Sequence, residues 1–314
     1  MTTAVATDSA KRALLERLID DASLFPPRRL DMQAALRHHA RHRESAYAWL
    51  GGRFVVPASR AGELGALRAG SEPLAVSVIL DAAAGGAKGD VVRADLHRVE
   101  RLRQLAGVAV ESLELRLPGT LGAAALDGVV AATTASFGGS PVALWIESGY
   151  DAGWQVPPAE TLGLLGEARA AAPSQLTLGA KVRCGGPRPG ATPSVEDLAA
   201  FLLAAQETGV PWKATAGLHH PVRGVHDGVM MHGFLNLFVA GTLLHAGALD
   251  AAGVADVLAE RDARSFVVDP MHVGWREVRV DAESVAAARA QCVSYGSCSF
   301  DEPVNDLREL GLLL

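Results

Sequence analysis

Two lysines lie in short runs that have the composition of β-strands, LTLGAKVRC and PWKATA. Alternation along these runs places Lys181 on the same face as Arg183, and Lys213 on the same face as Thr215 and Gly217. If the two strands are neighbours in a barrel, both amines point into its interior. A second cation lowers the pKa of a lysine, and the free amine can then attack a carbonyl group and form a Schiff base.

Carboxylates that could move protons for such chemistry occur on other strand-like runs. In VESLELRLP the leucines alternate with Glu114 and Arg116, so the leucines face the helices and the charged pair faces the lumen. The same alternation gives Glu147 a lumen position in VALWIES, and Asp20 or Asp21 lies at the entrance of the first strand. A carboxylate beside the amine could shuttle protons through the carbinolamine and enamine steps.

Charges in these positions would be costly as mere structure. A barrel interior is normally packed with Val, Ile and Leu. A buried lysine or carboxylate without a partner costs several kcal/mol. Two interpretations therefore stay open, which are amine catalysis and a satisfied ion network that plugs the top of the barrel.

The elements that would position these residues alternate along the whole chain. Eight β-rich runs are each followed by a helical run, which predicts a parallel sheet closed into a single (β/α)8 barrel domain over 1–314. An N-terminal helix precedes it, and a small hairpin is inserted near 265–280. An open doubly wound sheet is less favoured, because the turn after the first strand, SLFPPRR, has no glycine. The expected strands are 22–25, 53–57, 74–80, 110–118, 142–148, 176–184, 211–216 and 292–297; the expected helices are 8–20, 31–43, 59–69, 89–105, 121–136, 158–171, 194–207, 228–246, 250–261, 282–290 and 303–313.

Composition excludes several classes of protein. The formal net charge is −6 over 314 residues, and no basic face of the kind needed for nucleic acid is present. The N-terminus lacks the pattern of a secretion signal, and the longest apolar stretch contains His232, Asn236 and His245, which favours a buried helix over a membrane span. Three scattered cysteines do not make a disulfide framework. We expect a soluble cytoplasmic protein, and the abundance of Ala, Gly and Arg is typical of a GC-rich bacterial genome.

Several of these runs, in this order, resemble a known family. LIDDASLF, SLELRLP, AKVRCGG, WKATAGLHH and YGSCSF are similar to strands and turns of the deoxyribose-phosphate aldolases, which are class I, Schiff-base aldolases. The resemblance implies a lyase without a cofactor, with Lys181 as the Schiff-base lysine and Lys213 as the amine that lowers its pKa. It also implies that Glu114 shuttles protons and that Asp20 is a supporting carboxylate.

The resemblance further implies that the turn with Gly296, Ser297 and Ser299 binds an anion through amides and hydroxyls. The chain departs from the family where Glu114 replaces an aspartate and Arg183 replaces a small hydroxyl residue. Arg183 and Arg116 are expected to point inward, which indicates that the substrate is a small anionic carbonyl metabolite. Its anionic group is either a phosphate or a carboxylate. Barrels of this kind often form dimers, so a homodimer is compatible with the fold.

Four histidines occur within 14 residues, at positions 219, 220, 226 and 232. His219 or His220 could act as a general acid or base over the barrel mouth. As an alternative, the cluster from His219 to His232 could hold a metal, which would make the protein a metal-dependent hydrolase or lyase. Neither HxH nor HExxH occurs, so we assign no metal ligand. A third hypothesis is a non-catalytic barrel that binds an anion.

Overall fold

The computed structural model of the chain describes residues 9–67, 72–81, 89–116, 122–147, 150, 153–186 and 190–314. Eight parallel strands close into a barrel, so the expected (β/α)8 fold is confirmed. These strands are β1 (Ile19–Asp21), β2 (Gly51–Pro57), β3 (Leu74–Ile79), β4 (Val108–Arg116), β5 (Val142–Glu147), β6 (Leu176–Arg183), β7 (Trp212–Thr215) and β13 (Cys292–Ser297). They follow chain order around the barrel, and β13 closes the ring between β7 and β1. The expected strand ends at 117–118 and 148 lie outside the described residues.

Most of the helices lie close to their expected positions. The N-terminal helix is present but stops at Leu15, well before residue 20. None of the described helices has the length and apolar character needed to cross a bilayer. The helices are α1 (Ala10–Leu15), α2 (Met32–Glu44), α3 (Ala61–Leu67), α4 (Gly89–Arg103), α5 (Ala123–Phe137), α6 (Pro158–Ala171), α7 (Val195–Thr208), α8 (Phe234–His245), α9 (Ala251–Ala259), α10 (Ala282–Arg289) and α11 (Asp301–Glu309).

Alternation along the strands separates the apolar core from the lumen. Leu113 and Leu115 are fully buried in the core, whereas Glu114 between them belongs to the lumen. The indole of Trp145 is 2% exposed and fills the lumen beside Gly179 of the next strand. A Cβ atom at Gly179 would lie 2.3 Å from Cζ3 of Trp145, so this position accepts only glycine without a shift. The indole therefore occupies the lumen next to Glu114, which is the registered partner of Trp145 on β4.

The first strand was expected at 22–25, and this was wrong, because β1 is Ile19–Asp21. It pairs with both β13 and β2, whereas the chain turns after Asp21 and the N–H of Phe25 donates to the carbonyl of Ala22. The apolar pattern favoured the Leu24–Phe25 pair. A strand made of Ile-Asp-Asp is stable here because its carboxylates have partners inside the protein, and a hydrophobic pattern does not show such partners.

The long apolar helix was expected to begin at 228, and it begins at Phe234 instead. The preceding residues form an antiparallel hairpin of β8 (Gly224–His226) and β9 (Val229–Met231). Its turn is Asp227–Gly228, with φ of 49° and 78°, and two left-handed residues of this kind favour a tight hairpin. Helix propensity of the MMHGF run is outweighed by this turn.

The insertion near 265–280 is confirmed as an insertion, but it has three strands where a hairpin was expected. They are β10 (Phe266–Val268), β11 (His272–Trp275) and β12 (Val278–Asp281), and they pair antiparallel in that order. β11 packs against α1, α8 and α10. The insertion therefore covers helices rather than lying across the site described next.

Candidate active site

A cavity of about 700 Å³ opens at the C-terminal ends of the barrel strands. The last residues of β3 to β7 all line it: Ile79, Arg116, Glu147, Arg183 and Thr215. This end of a (β/α)8 barrel is where active sites of the fold are built. The cavity is therefore the candidate active site.

Lys181 lies at the base of this cavity between two glutamates. Its Nζ is 2.8 Å from Oε2 of Glu114 and 2.9 Å from Oε2 of Glu147. Glu147 and Lys181 are registered partners on β5 and β6, which fixes their closeness. The lysine is 5% exposed and still lines the cavity, so its amine is enclosed but can be reached from that side.

Lys213 shares Glu114 with Lys181 but is not among the described residues that line the cavity. Its Nζ is 2.6 Å from Oε1 of Glu114 and 2.7 Å from Oδ2 of Asp20. The lysine is 1% exposed, and Asp20 is fully buried. The strand between them, β13, contributes Ser294, whose hydroxyl donates to Asp20 at 2.8 Å. A small residue at that position leaves the two charged side chains free to meet.

The row of charges continues toward the opposite end of the barrel. Arg53 lies 3.8 Å from Asp20, and its Nε is 3.0 Å from the carboxylate of Glu111. Glu111 in turn contacts the exposed Arg17 at 2.7 Å. Positive and negative groups thus alternate from the Arg17–Glu111 pair, through Arg53 and Asp20, to the lysines. Each buried charge has partners on both sides, which is the condition under which charges are tolerated in an interior.

At the cavity end, the row finishes with two arginines. Arg183 contacts Oε1 of Glu147 through Nη2 at 3.0 Å and Nε at 3.1 Å. The Nε of Arg116 is 3.9 Å from the same oxygen. Both guanidinium groups are partly exposed to the cavity, so they present positive charge next to Lys181. This confirms their inward orientation, which favours an anionic ligand.

The expected lowering of the Lys181 pKa is wrong. Burial does act to lower it, but the carboxylates of Glu114 and Glu147 outweigh burial and raise the pKa above that of an ordinary lysine. The expectation counted Lys213 as a cation and did not count Glu147, whose contact depends on strand register. The resting amine is therefore a stable ammonium group.

The carboxylates show the complementary effect. Burial acts to raise the pKa of Glu147, yet Lys181 and Arg183 outweigh it and lower that pKa below the usual range. Burial likewise opposes ionisation of Glu114 and Asp20, but the lysines, with Arg53 at Asp20, lower both pKa values. All three carboxylates are consequently ionised at neutral pH, and Lys181 is charged between two of them.

The serine hydroxyls of the anticipated anion-binding turn already have hydrogen-bond partners in the protein. The hydroxyl of Ser297 donates to the carbonyl of Ser299 at 2.6 Å, and the hydroxyl of Ser299 accepts from Arg28 at 3.1 Å. Neither serine is among the described residues that line the cavity, although Gly296 and Cys298 are. In this structure the turn therefore offers the cavity small residues in place of hydroxyls.

Thr215 and Gly217 line the cavity where β7 ends. Gly217 has φ of +71°, and a Cβ there would lie 2.7 Å from the Cα of Gly185. Glycine is thus required by a left-handed conformation and by the close approach of two backbones after β6 and β7. Its role is to shape the wall of the cavity.

His219 and His220 differ in their positions. His219 lines the cavity, and its Nδ1 is 3.0 Å from Glu302 on α11. His220 does not line it; its Nδ1 is 2.6 Å from Asp306, and its ring stacks on His226 at 3.4 Å. Of the two, only His219 is placed to act on a ligand in the cavity.

The four histidines do not converge on a metal. The Nε2 of His232 is 2.8 Å from the carbonyl of Pro193, so this side chain is engaged elsewhere. Within the described ranges, the group of potential ligands that comes closest together is His38, His42 and Asp301, on α2 and α11. The geometry gives no support to a centre built from residues 219–232.

Sequence reasoning missed one wall of the cavity. Phe25 and Pro26 in the loop after β1, with Val55 and Ile79 on β2 and β3, form an apolar surface facing the charged strands. It also missed the hydroxyl of Ser77, which donates to Glu114 at 2.7 Å. The alternation rule applied to β2 and β3 would have found Val55, Ser77 and Ile79, which all have lumen parity.

Comparisons with protein-family models, with curated proteins and with solved structures find no match to this chain.

Proposed function

We propose that this barrel is an enzyme of carbonyl chemistry, a class I aldolase-like carbon–carbon lyase, in which Lys181 forms a Schiff base with a small anionic substrate. The observation that carries the proposal is the position of the Lys181 amine. It lies at the base of the cavity, within 2.9 Å of two carboxylates and beside two arginines that face the cavity. The resemblance to deoxyribose-phosphate aldolases supports the same roles.

The use of lysine in this chain supports amine chemistry. Only four lysines occur in the sequence, at positions 11, 88, 181 and 213, whereas all other basic residues among the 29 are arginines. Two of the four are buried in the barrel. Arginine is the better residue for a permanent ion pair, but it cannot lose its proton in a protein. A chain that otherwise uses arginine has lysine where an amine could be a nucleophile.

The residues are arranged for imine formation. A proton leaves Nζ of Lys181 to Glu114 or Glu147, and the nitrogen then bonds to the carbonyl carbon of the substrate. The carbonyl oxygen takes up protons from the same carboxylates or from His219 and leaves as water. The product is an imine on Lys181, which can withdraw electrons from a neighbouring carbon–carbon bond.

Substrate binding also changes the charges around Lys181. An anion held by Arg116 and Arg183 competes with Glu147 for both guanidinium groups. Glu147 then has weaker stabilisation as an anion, so it becomes a better acceptor for the lysine proton. The ammonium form of the resting enzyme is therefore compatible with a nucleophilic amine in the complex.

A non-catalytic barrel that binds an anion is the second candidate. The raised pKa of Lys181 and the complete pairing of the row favour it, because a satisfied ion network needs no chemistry. The two candidates differ in one outcome, since only the enzyme forms a covalent bond to a carbonyl compound.

The test is to incubate the protein with 2-oxo acids, aldehydes and sugar phosphates, add borohydride, and measure intact mass. We expect a mass increase equal to the carbonyl compound minus water plus two hydrogens, and a modified peptide containing Lys181. The adduct should be absent in Lys181→Met and weaker in Lys213→Met. Lys11 is partly exposed and does not line the cavity, so Lys11→Met should form the adduct as the native chain does. An adduct that persists in Lys181→Met would place the Schiff base on another amine of the protein. Ligand binding without any adduct would favour the non-catalytic barrel.

A further inference from the structure

The cavity wall has three parts that follow each other around the barrel. The ends of β4, β5 and β6 carry the charged groups described above, and the ends of β7 and β13 carry small residues, among them Ala216 and Gly296. The remaining part, from the loop after β1 to the end of β3, is lined by Phe25, Pro26, Val55 and Ile79. The cavity is thus polar on one side and apolar on the opposite side.

The apolar side reaches the reactive groups directly. Ile79 is the registered partner of Glu114, so its side chain is next to the carboxylate that holds both lysines. Phe25 and Ile79 are only partly buried, and the exposed parts of both contribute to the cavity wall. Apolar surface that faces an enclosed site is stabilised when a ligand covers it.

The two charged residues on this side do not contradict its apolar character. The carboxylate of Asp81 accepts from the backbone N–H of Ser59 at 2.9 Å, so it connects the end of β3 to the residues that follow β2. Arg29 is an exposed residue at the cavity rim. Neither interrupts the surface formed by Phe25, Val55 and Ile79.

The size of the cavity also indicates a ligand that covers its apolar side. Sites of about 300–1,000 Å³ enclose ligands far larger than a three-carbon acid, and this cavity has about 700 Å³. The small residues at the ends of β7 and β13 keep the middle of the cavity open between its charged and apolar sides. A three-carbon substrate held by the arginines would leave the apolar side uncovered.

We infer that the substrate is an anionic carbonyl compound that also carries an apolar arm of about the size of a phenyl or branched alkyl group. This inference rests on the proposed imine chemistry of Lys181 and adds the class of substrate. The anion binds Arg116 and Arg183, the carbonyl carbon lies over Lys181, and the arm lies against Phe25 and Ile79.

Four carbonyl probes test separately whether the anionic group and the apolar arm are required. Pyruvate has the anion alone, 2-oxo-4-phenylbutanoate has both anion and arm, 3-phenylpropanal has the arm alone, and glyceraldehyde 3-phosphate has a phosphate without an arm. Each is trapped with borohydride over a range of concentrations, and the half-saturating concentration is read from intact mass. We expect 2-oxo-4-phenylbutanoate to saturate at a concentration at least about tenfold lower than pyruvate, since one or two buried methylenes already give that ratio.

A pair of variants connects the preference to the wall. Phe25→Ala should raise the half-saturating concentration of 2-oxo-4-phenylbutanoate about fivefold or more and leave that of pyruvate unchanged, because only the arm contacts this ring. Phe266→Ala, in the three-stranded insertion and not part of the cavity wall, is the matched control and should change neither. Circular dichroism spectra of both variants establish that they fold.

The outcomes distinguish the two proposals. If pyruvate or glyceraldehyde 3-phosphate has a half-saturating concentration as low as that of 2-oxo-4-phenylbutanoate, the requirement for an apolar arm is overturned, while Schiff-base chemistry stands. If no probe is trapped, the proposed function fails together with the inference. If the phenyl compound is preferred but Phe25→Ala has no effect, the arm does not bind this wall, and the inference is overturned as well.

Discussion

Lys181 and Lys213 are registered partners on neighbouring strands, and each contacts a different oxygen of one carboxylate, that of Glu114. The carboxylate therefore screens the two ammonium groups from each other. This is why proximity of a second lysine does not by itself lower the pKa of Lys181. Glu114 controls how strongly the amines influence each other.

Replacement of Glu114 by glutamine should increase the electrostatic repulsion between the two lysines. Glu114→Gln leaves two ammonium groups with one fewer anion between them, so the pKa of Lys181 falls and imine trapping reaches half its maximum at a lower pH. Loss of one partner of a buried ion pair costs about 3–5 kcal/mol of unfolding free energy. Urea unfolding and the pH profile of trapping measure the two effects. Glu207→Gln, on the exposed face of α7, should change neither; an unchanged pH profile in Glu114→Gln would contradict the screening role.

Imine formation should become faster with rising pH over the whole neutral and alkaline range. The pKa of Lys181 is raised above the ordinary 10.5, so the protonated amine predominates and less than about one part in a thousand is free at pH 7. The initial rate of trapping with cyanoborohydride, measured from pH 6 to 10 with one carbonyl probe, should therefore increase without a plateau. A plateau at neutral pH would mean that the amine in the complex has a much lower pKa than in the free protein.

Acid should destabilise the native protein through the buried carboxylates. Glu147 has a lowered pKa when folded, so its ionised form stabilises the fold above its unfolded value of 4.5, and this contribution is lost as pH falls through the lower folded value. The free energy of unfolding should decrease from about pH 5 downward. Glu147→Gln should show lower stability at pH 7 and a shallower decrease in acid, by urea unfolding at each pH. An equally steep decrease in the variant would show that Glu147 does not contribute.

The wall formed by Gly217 can be tested against a second left-handed glycine. Gly217→Ala introduces both backbone strain, at φ of +71°, and an overlap with Gly185. Gly228→Ala introduces similar strain at φ of +78°, but nothing lies within 4 Å of the added Cβ. Strain alone costs about 1–2 kcal/mol, so Gly217→Ala should be the more destabilising variant and should also impair trapping. Equal thermal shifts would show that the close approach is relaxed easily.

The positions of the charged residues could be predicted from the sequence because strand parity is local. Alternating leucines place Glu114 in the lumen whichever strands are adjacent, and the same holds for Lys181 and Lys213. Their partners could not be predicted, because these depend on register and on closure of the barrel. Glu147 is next to Lys181 through register, and the pKa of the amine depends on that contact.

The position of β1 and the bonding of the turn serines have a common physical origin. Asp20 lies in a strand because a lysine and an arginine from distant parts of the chain neutralise it. The hydroxyl of Ser297 donates to the backbone carbonyl of Ser299, and the hydroxyl of Ser299 accepts from Arg28. A sequence motif does not reveal these alternatives to binding a ligand. Both outcomes are decided by long-range contacts.

The alternating row of charges restricts how this sequence can diverge. Loss of Lys213 alone leaves Asp20 and Glu114 facing each other in the interior, and loss of Asp20 alone leaves Lys213 with an excess of positive charge. Accepted substitutions should therefore come in compensating pairs, so that Asp20 and Lys213 covary among descendants of this gene. Under the proposed imine chemistry, Lys181 should stay constant among descendants that keep this chemistry, and a lineage in which Lys181 changes together with Glu147 should have lost it.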